Sequence, residues 1–559
     1  MLKPKHQKLI LLLSAFLMLI VLVMGLFIDV TRDAAKYAYI SKEIIQTGKW
    51  FNLQILGERY FQKPPLLFWL SAFSYKIFGI SNFSFKLPVL LYSLSGFWAV
   101  YRLSKSMNDK KTALLSTFIV SSSVITVLYN MDVHTDTILM TNVAFSLWFL
   151  YEYLKKGKLS YFIGSSVFLG LSIMTKGPFG VIVPFFSVLG YLLSKRDYKN
   201  LFSYKWLVMI AIALIFSLPA YLPAFIENGF KGLFFFFWDN NFRRLVGDYK
   251  GVTTDPTFYL HNLAYLIIPW LVVAVAGFTC QFTKLFKKSF SPDDHFLFWG
   301  FWVVFLLLTV SKNKLPNYLF PLTPLLAVQA ARTWLNPDFI SKKWIFANKI
   351  LLFLIWLLLF LIIIFFFKTN NLLLVSLIIV LFLMSVFLVV FKEKNIQSFY
   401  SAFITAIAMG VILNLHIFPE MISLQGAPNA ARVINEKIKT DERIFYFNAE
   451  DFEYRKKLSY NKDFGSVLAE NHFFLNYELM FYSNNPVLYV VNQTQLDDIL
   501  KEGKSWIYTN EEGKNQIEES EKDIIEIFSF NNFDMRLPAR YINPVTRSES
   551  LTKVYLIHL

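Results

Sequence analysis

Long apolar runs separated by short polar loops set the plan of the first 420 residues or so. Runs near 9–28, 85–104, 112–129, 135–154, 160–175, 178–194, 205–225, 258–282, 295–311, 315–334, 346–367, 370–391 and 398–418 reach or approach the roughly 20 residues that carry a helix across a bilayer core. Backbone N–H and C=O groups in hydrocarbon must be satisfied within the segment, so these runs read as helices. Beyond about residue 425 the pattern shortens. Strand-like runs (443–448, 487–492, 506–509, 553–558) there alternate with helical ones (473–482, 494–501, 516–526), which predicts a small α/β domain. The expected fold class is therefore a polytopic α-helical membrane protein of about thirteen transmembrane helices with a small C-terminal α/β domain outside the cytosol. Its domains are 1–424, with long outer loops at 29–83 and 227–257, and 425–559.

Charge fixes the orientation. The net charge of +16 sits in the membrane part: 39 basic and 18 acidic residues precede Gln425, against 16 and 21 from there on. It is concentrated in every second loop, at Lys105/Lys110/Lys111, Lys155/Lys156/Lys158, Lys195/Arg196/Lys199, Lys284/Lys287/Lys288 and Lys342/Lys343. Cytoplasmic loops carry such an excess, so the N-terminus is expected in the cytosol and the C-terminal domain outside it. The first run, without a small-residue cleavage pattern, reads as a retained anchor. A nucleic-acid surface is not implied. A composition of 55% hydrophobic and 18% aromatic residues excludes a soluble globule, and the lone Cys280 excludes an internal disulfide.

The candidate chemistry lies in the other loops. Ionisable groups at span ends are costly in lipid and mark function by default. Asp33 follows the first run; it is either a functional carboxylate or a cap on a helix beginning at Ala34. Asp132, His134 and Asp136 sit where the third run turns into the fourth and offer oxygen and nitrogen ligands suited to a divalent metal, or simply a polar turn. Lys63, before Pro64–Pro65, Lys176, in Thr175-Lys-Gly-Pro178, and Lys312/Lys314 run against the positive-inside trend; binding of lipid phosphate is one reason, snorkelling to headgroups another. Arg243 and Arg244 close the aromatic stretch from Phe234, which suits either pyrophosphate capture or an interfacial belt.

In order and spacing these pieces resemble the polyprenyl-phosphate-sugar-dependent membrane glycosyltransferases of GT-C type, the family of lipid A aminoarabinose transferases and protein O-mannosyltransferases. The resemblance runs over about 29–325. It rests on Asp33-Ala-Ala-Lys-Tyr37-Ala with Gly48-Lys-Trp50, on Gly57-Glu-Arg-Tyr60-Phe-Gln-Lys63-Pro-Pro-Leu, and on Asp136 opening the fourth span. Thr175-Lys-Gly-Pro178, Pro269-Trp270 and Lys314-Leu-Pro-Asn-Tyr318-Leu-Phe-Pro321 complete it. Two departures stand out: Ala34 and Gln62 occupy positions where family members often carry Glu, which weakens a metal site built on a second carboxylate.

The resemblance implies transfer of a hexosyl or pentosyl group from a polyprenyl (undecaprenyl) phosphate to an envelope lipid, glycan or protein at a bacterial inner membrane, amid membrane lipids. It implies no nucleotide cofactor and leaves a divalent metal ion open. In that frame Asp33 and Asp136 are the expected catalytic residues: Asp33 takes or orients the acceptor's proton, and Asp136 positions Lys63, a metal or the acceptor. Lys63, Arg243 and Lys314 hold the donor phosphate, and Tyr60 and Tyr318 contact carrier or sugar. A transporter or lipid flippase is the main alternative, although transporters place polar sites near the midplane of broken helices. A scaffold that uses its tail to hold partners is a third.

Overall fold

The computed structural model describes residues 4–242, 255–390, 395–450, 475–520, 522–533 and 538–559. Among these, seven helices are long and apolar enough to cross a membrane, or nine if two bent pairs each count as one span. The expected thirteen runs are helical, but several are short or interrupted. Near 258–282 the helix Phe258–Leu266 stops before Pro269 and a second, Leu271–Phe286, begins after it. Near 315–334, Pro316 and Pro321 hold the first part in a 3-10 turn, Pro316–Leu322, before the helix Thr323–Trp334. Hydropathy registers the apolar run and is blind to these breaks.

The chain divides into two compact units, one of Met1–Phe27, Phe61–Leu361 and Thr369–Asn414, the other of Ile28–Tyr60, Ile362–Lys368 and Leu415–Leu559. The first is a helical bundle. Its helix Thr135–Lys156 is buried along almost its whole length, and the polar Thr137, Thr141 and Asn142 it carries find partners inside the protein. The Tyr92 hydroxyl donates to Asn142 Oδ1 (2.6 Å), Asn142 Nδ2 donates to Thr175 Oγ1 (3.0 Å), and the Thr137 hydroxyl donates to the Tyr129 carbonyl (2.8 Å). Small residues let helices approach. A Cβ on Gly170 would lie 2.6 Å from the Ala213 carbonyl oxygen, so only glycine fits at that crossing. Near Pro292, Ser291 and Asp294 form a capping box, and Asp294 also accepts from Arg332 and from Lys284 (3.3 Å).

The second unit holds a five-stranded sheet and the helix Arg32–Thr47. Numbering strands along the chain, β1 (Gln54–Ile55) and β2 (Glu58–Arg59) form a hairpin whose turn residues Leu56 and Gly57 both have positive φ (54° and 81°), the twist that two-residue hairpins favour. Glu43 secures this turn by accepting from the N–H groups of Leu56 (3.1 Å) and Gly57 (3.0 Å). Strands β3 (Arg443–Phe447), β4 (Val487–Tyr489), β5 (Ser505–Asn510), β6 (Glu526–Phe533) and β7 (Leu551–His558) lie in the order β4-β3-β5-β7-β6. β3 runs parallel to β4 and β5, and β7 is antiparallel to β5 and β6. Phe445, Phe447, Leu496, Ile507, Ile517 and Ile557 form the core.

Two readings are corrected here. The helix expected at 516–526 is Glu511–Glu518, started by Asn510, whose side chain accepts from Gly513 N–H; the residues after it supply β6, which pairing with β7 makes a strand. The first outer loop is not one piece with the bundle, because Ile28–Tyr60 belongs with the tail. The Lys42 ammonium donates to the carbonyls of Met480 (3.0 Å), Phe481 (3.0 Å) and Ser483 (2.5 Å) at the end of the helix Tyr477–Tyr482, where a cation suits the carbonyl dipoles.

Candidate active site in the helical unit

A cavity opens in the helical unit where the helix Leu159–Lys176 turns into Phe179–Ser194. Gly177 makes that turn with φ of 63°, a value most side chains disfavour, and its neighbour Pro178 cannot continue the first helix. The turn delivers Lys176 to the cavity wall. Lys63 reaches the same wall from the segment before Pro64–Pro65, which is tied down where Asn240 Nδ2 donates to the Gln62 carbonyl (2.8 Å). Asn241, Ser311 and Asn313 add polar groups, while Phe179, Ile182, Phe236 and Leu308 form the apolar part.

Behind Lys176 lies Asp136, 1% exposed, in the first turn of its helix, where the helix dipole favours a carboxylate. Its Oδ1 accepts from the Lys176 ammonium and its Oδ2 from Asn317 Nδ2 (2.6 Å). The same ammonium sits 3.8 Å from the centre of the Tyr318 ring and 5.3 Å from that of Phe179. One lysine is thus held from two sides, by a buried carboxylate and by aromatic faces, with its charge presented at a wall that is mainly apolar.

The expected residues separate into groups. Lys63 and Tyr318 line the cavity, and Asp136 stands one hydrogen bond behind it. Lys314 is not among the lining residues: its ammonium donates to the Asp255 carbonyl (2.6 Å) and the side chain is buried. The three expected metal ligands take other partners. Asp132 pairs with His134 (Oδ2 to Nε2, 3.2 Å), Asp136 turns to Lys176 and Asn317, and among the described residues no three His, Cys, Asp or Glu groups share a metal-sized site. Arg243, with Arg244, lies outside the described residues.

Asp33 and Tyr60 belong to the second unit. Asp33 is in the first turn of Arg32–Thr47, 3.3 Å from Lys36 Nζ with its side chain largely exposed, so the helix starts earlier than Ala34. Tyr60 is buried, its backbone N–H donating to Leu53 (2.9 Å). The sequence offered lipid phosphate as one reason for Lys176 but did not pair it with Asp136, and it gave Asn317 no role. The signal for Lys176 was its place in a loop that otherwise lacks cations; Asn317 had only its position within Lys314-Leu-Pro-Asn-Tyr318.

Known proteins bear on this arrangement. The family model for dolichyl-phosphate-mannose-protein mannosyltransferase matches residues 62–222, which include Lys63, Asp136 and Lys176. The crystal structure of ArnT from Cupriavidus metallidurans bound to undecaprenyl phosphate superposes with a TM-score of 0.72 at 15% identity, over 99% of this chain and 98% of that one. The chain has the ArnT fold. Sequence relatives agree with it: an undecaprenyl phosphate-alpha-4-amino-4-deoxy-L-arabinose arabinosyl transferase of Proteus mirabilis is 27% identical over 305 residues, 54% of each chain. That of Pseudomonas savastanoi pv. phaseolicola is 29% identical over 329 residues, 57% of this chain and 60% of that protein. The chain thus aligns with little more than half the length of the curated relatives it matches, and the resemblance to GT-C glycosyltransferases read from its motifs holds.

Proposed function

We propose that this protein is an integral-membrane glycosyltransferase that moves a sugar from a polyprenyl phosphate to an envelope acceptor on the extracytosolic side of a bacterial inner membrane. The observation that carries the reading is one cavity that combines Lys63 and Lys176 with a mainly apolar wall. A lipid phosphate is an anionic head on an apolar chain, and the two halves of the wall match its two halves.

In the reaction an acceptor oxygen forms a bond to the anomeric carbon while the bond from that carbon to the carrier phosphate breaks. The departing phosphate gains negative charge, which the two ammonium groups stabilise where the apolar wall keeps the local dielectric low. Asp136 and Tyr318 hold Lys176 in place for this. The acceptor's proton goes to Asp33, assigned on the resemblance alone, as is the phosphate-binding role of Arg243. Lipid A is the first acceptor to try, since the relatives are named as aminoarabinose transferases, with glycans and proteins next.

The test is transfer from undecaprenyl-phosphate-linked aminoarabinose to lipid A by the purified chain. Lys63→Gln lowers the rate about 10²–10³-fold, the loss typical of a donor aimed at developing charge. Asp33→Asn lowers it about 10²–10⁴-fold. Transfer by both variants at the unmodified rate refutes the assignment.

A further inference from the structure

A second cavity lies at the other end of the helix Phe179–Ser194, about 24 Å along it at 1.5 Å per residue. It lies between the last turns of Thr135–Lys156 and Phe179–Ser194 and the start of Lys205–Asn228. Lys195 and Lys205 line it, and among the described residues neither ammonium has a carboxylate within 4 Å. Lys195 rests 4.8 Å from the centre of the Tyr191 ring. The one acid in the wall, Asp197, is turned to capping: it accepts from the Asn200 backbone N–H (3.2 Å) and from Asn200 Nδ2 (2.7 Å). The indole of Trp206 donates to the Asn200 carbonyl (2.7 Å), which fixes the short helix Tyr198–Leu201 against the start of the following one. Tyr191, 1% exposed, has a buried hydroxyl with no hydrogen-bond partner.

We infer that this cavity binds the phosphate of an anionic membrane lipid. Two lysines without a carboxylate partner and a hydroxyl without a hydrogen-bond partner, beside a single carboxylate already engaged as a helix cap, make a site for an anion. The surroundings set its depth. Phe202 and Tyr204, 82% and 71% exposed, flank the site, as aromatic residues do at headgroup level, and the helix beginning at Lys205 turns most of its surface outward like a span facing lipid. Lys155, Lys156, Lys158, Arg196 and Lys199 surround it in sequence, the composition of a surface that faces anionic lipid. The site is distinct from the cavity of Lys63 and Lys176, and it stands or falls independently of the transferase reading.

Native mass spectrometry of the full-length chain in detergent, titrated with short-chain phosphatidylglycerol or phosphatidylcholine, tests it. The unmodified protein prefers phosphatidylglycerol. Lys195→Gln and Lys205→Gln each lower that preference about fivefold, the effect of one cation near an anionic surface, and Asp197→Asn does not lower it. The arginine replacements at 195 and 205 retain it, which separates lost charge from lost folding. An unchanged preference in the double glutamine variant overturns the proposal, as does an equal loss in Lys287→Gln/Lys288→Gln, which would mean unspecific charge. Displacement of phosphatidylglycerol by millimolar inorganic phosphate would assign the site to free phosphate and overturn the lipid.

Discussion

The pair of Asp136 and Lys176 gives the sharpest test of the site. Asp136 is 1% exposed and has two partners, Lys176 and Asn317, so Lys176→Met leaves a buried carboxylate with a neutral amide alone. Removing one member of a buried ion pair costs about 3–5 kcal/mol, because the surviving charge has lost its water and its counter-ion together. Asp136→Asn should cost less. Its orphan, the Lys176 ammonium, keeps the Tyr318 ring at 3.8 Å, a contact worth up to about 2 kcal/mol when desolvated, and it lies at the cavity wall where water enters. The double variant Asp136→Asn/Lys176→Met removes both charges and should lie within about 1 kcal/mol of the unmodified protein, since neutral replacements of a buried pair are often tolerated. The expected coupling is therefore at least about 3 kcal/mol, read from reversible unfolding of the purified chain in detergent micelles. Transfer activity should stay low in the double variant although its stability returns, because the cation at the phosphate has gone. A coupling below about 0.5 kcal/mol would show that the two groups do not act as a buried pair, and the reasoning about Lys176 would fail with it.

Two further expectations concern the second unit. Lys42→Met deprives the carbonyls of Met480, Phe481 and Ser483 of their shared donor and should destabilise this unit by about 2–4 kcal/mol, seen as faster hydrogen exchange in Arg32–Thr47 and Tyr477–Tyr482; unchanged exchange would refute it. Burial works to raise the Glu442 carboxyl, but hydrogen bonds from the Lys439 N–H (3.0 Å), the Trp506 indole (2.8 Å) and His558 (3.0 Å) outweigh it and hold the group below its usual value. A value lower in the folded state means stability that is complete above the ordinary carboxylate range and lost as pH falls through the folded value. Glu442→Gln should flatten that acid limb in thermal melts, and an unaltered slope would count against the role.

Much of the site was legible because it follows from local chemistry. Lys63 stands out by the two prolines that follow it, Lys176 as a cation in a short Gly-Pro turn that otherwise lacks one, and Asp136 as an acid opening an apolar run. Asn317 was not legible, since an asparagine has no charge to contrast with its surroundings. Nor was the true destination of Lys314, because an ammonium takes a backbone carbonyl as readily as a phosphate, and no sequence marks which carbonyl is near.

Sequence alone determined the class of this protein, because apolar runs of this length and number cannot stay in water. It also announced the change to an α/β tail through the change in hydrophobic period. Tertiary structure decided what lies against what. It joined Ile28–Tyr60 to the tail, set Lys176 against Asp136 forty residues away, and interrupted spans that hydropathy reads as continuous. The physical reason is that partition into a bilayer depends on the composition of each segment by itself, whereas counter-charges and hydrogen-bond partners are chosen among groups that only folding brings within 3 Å.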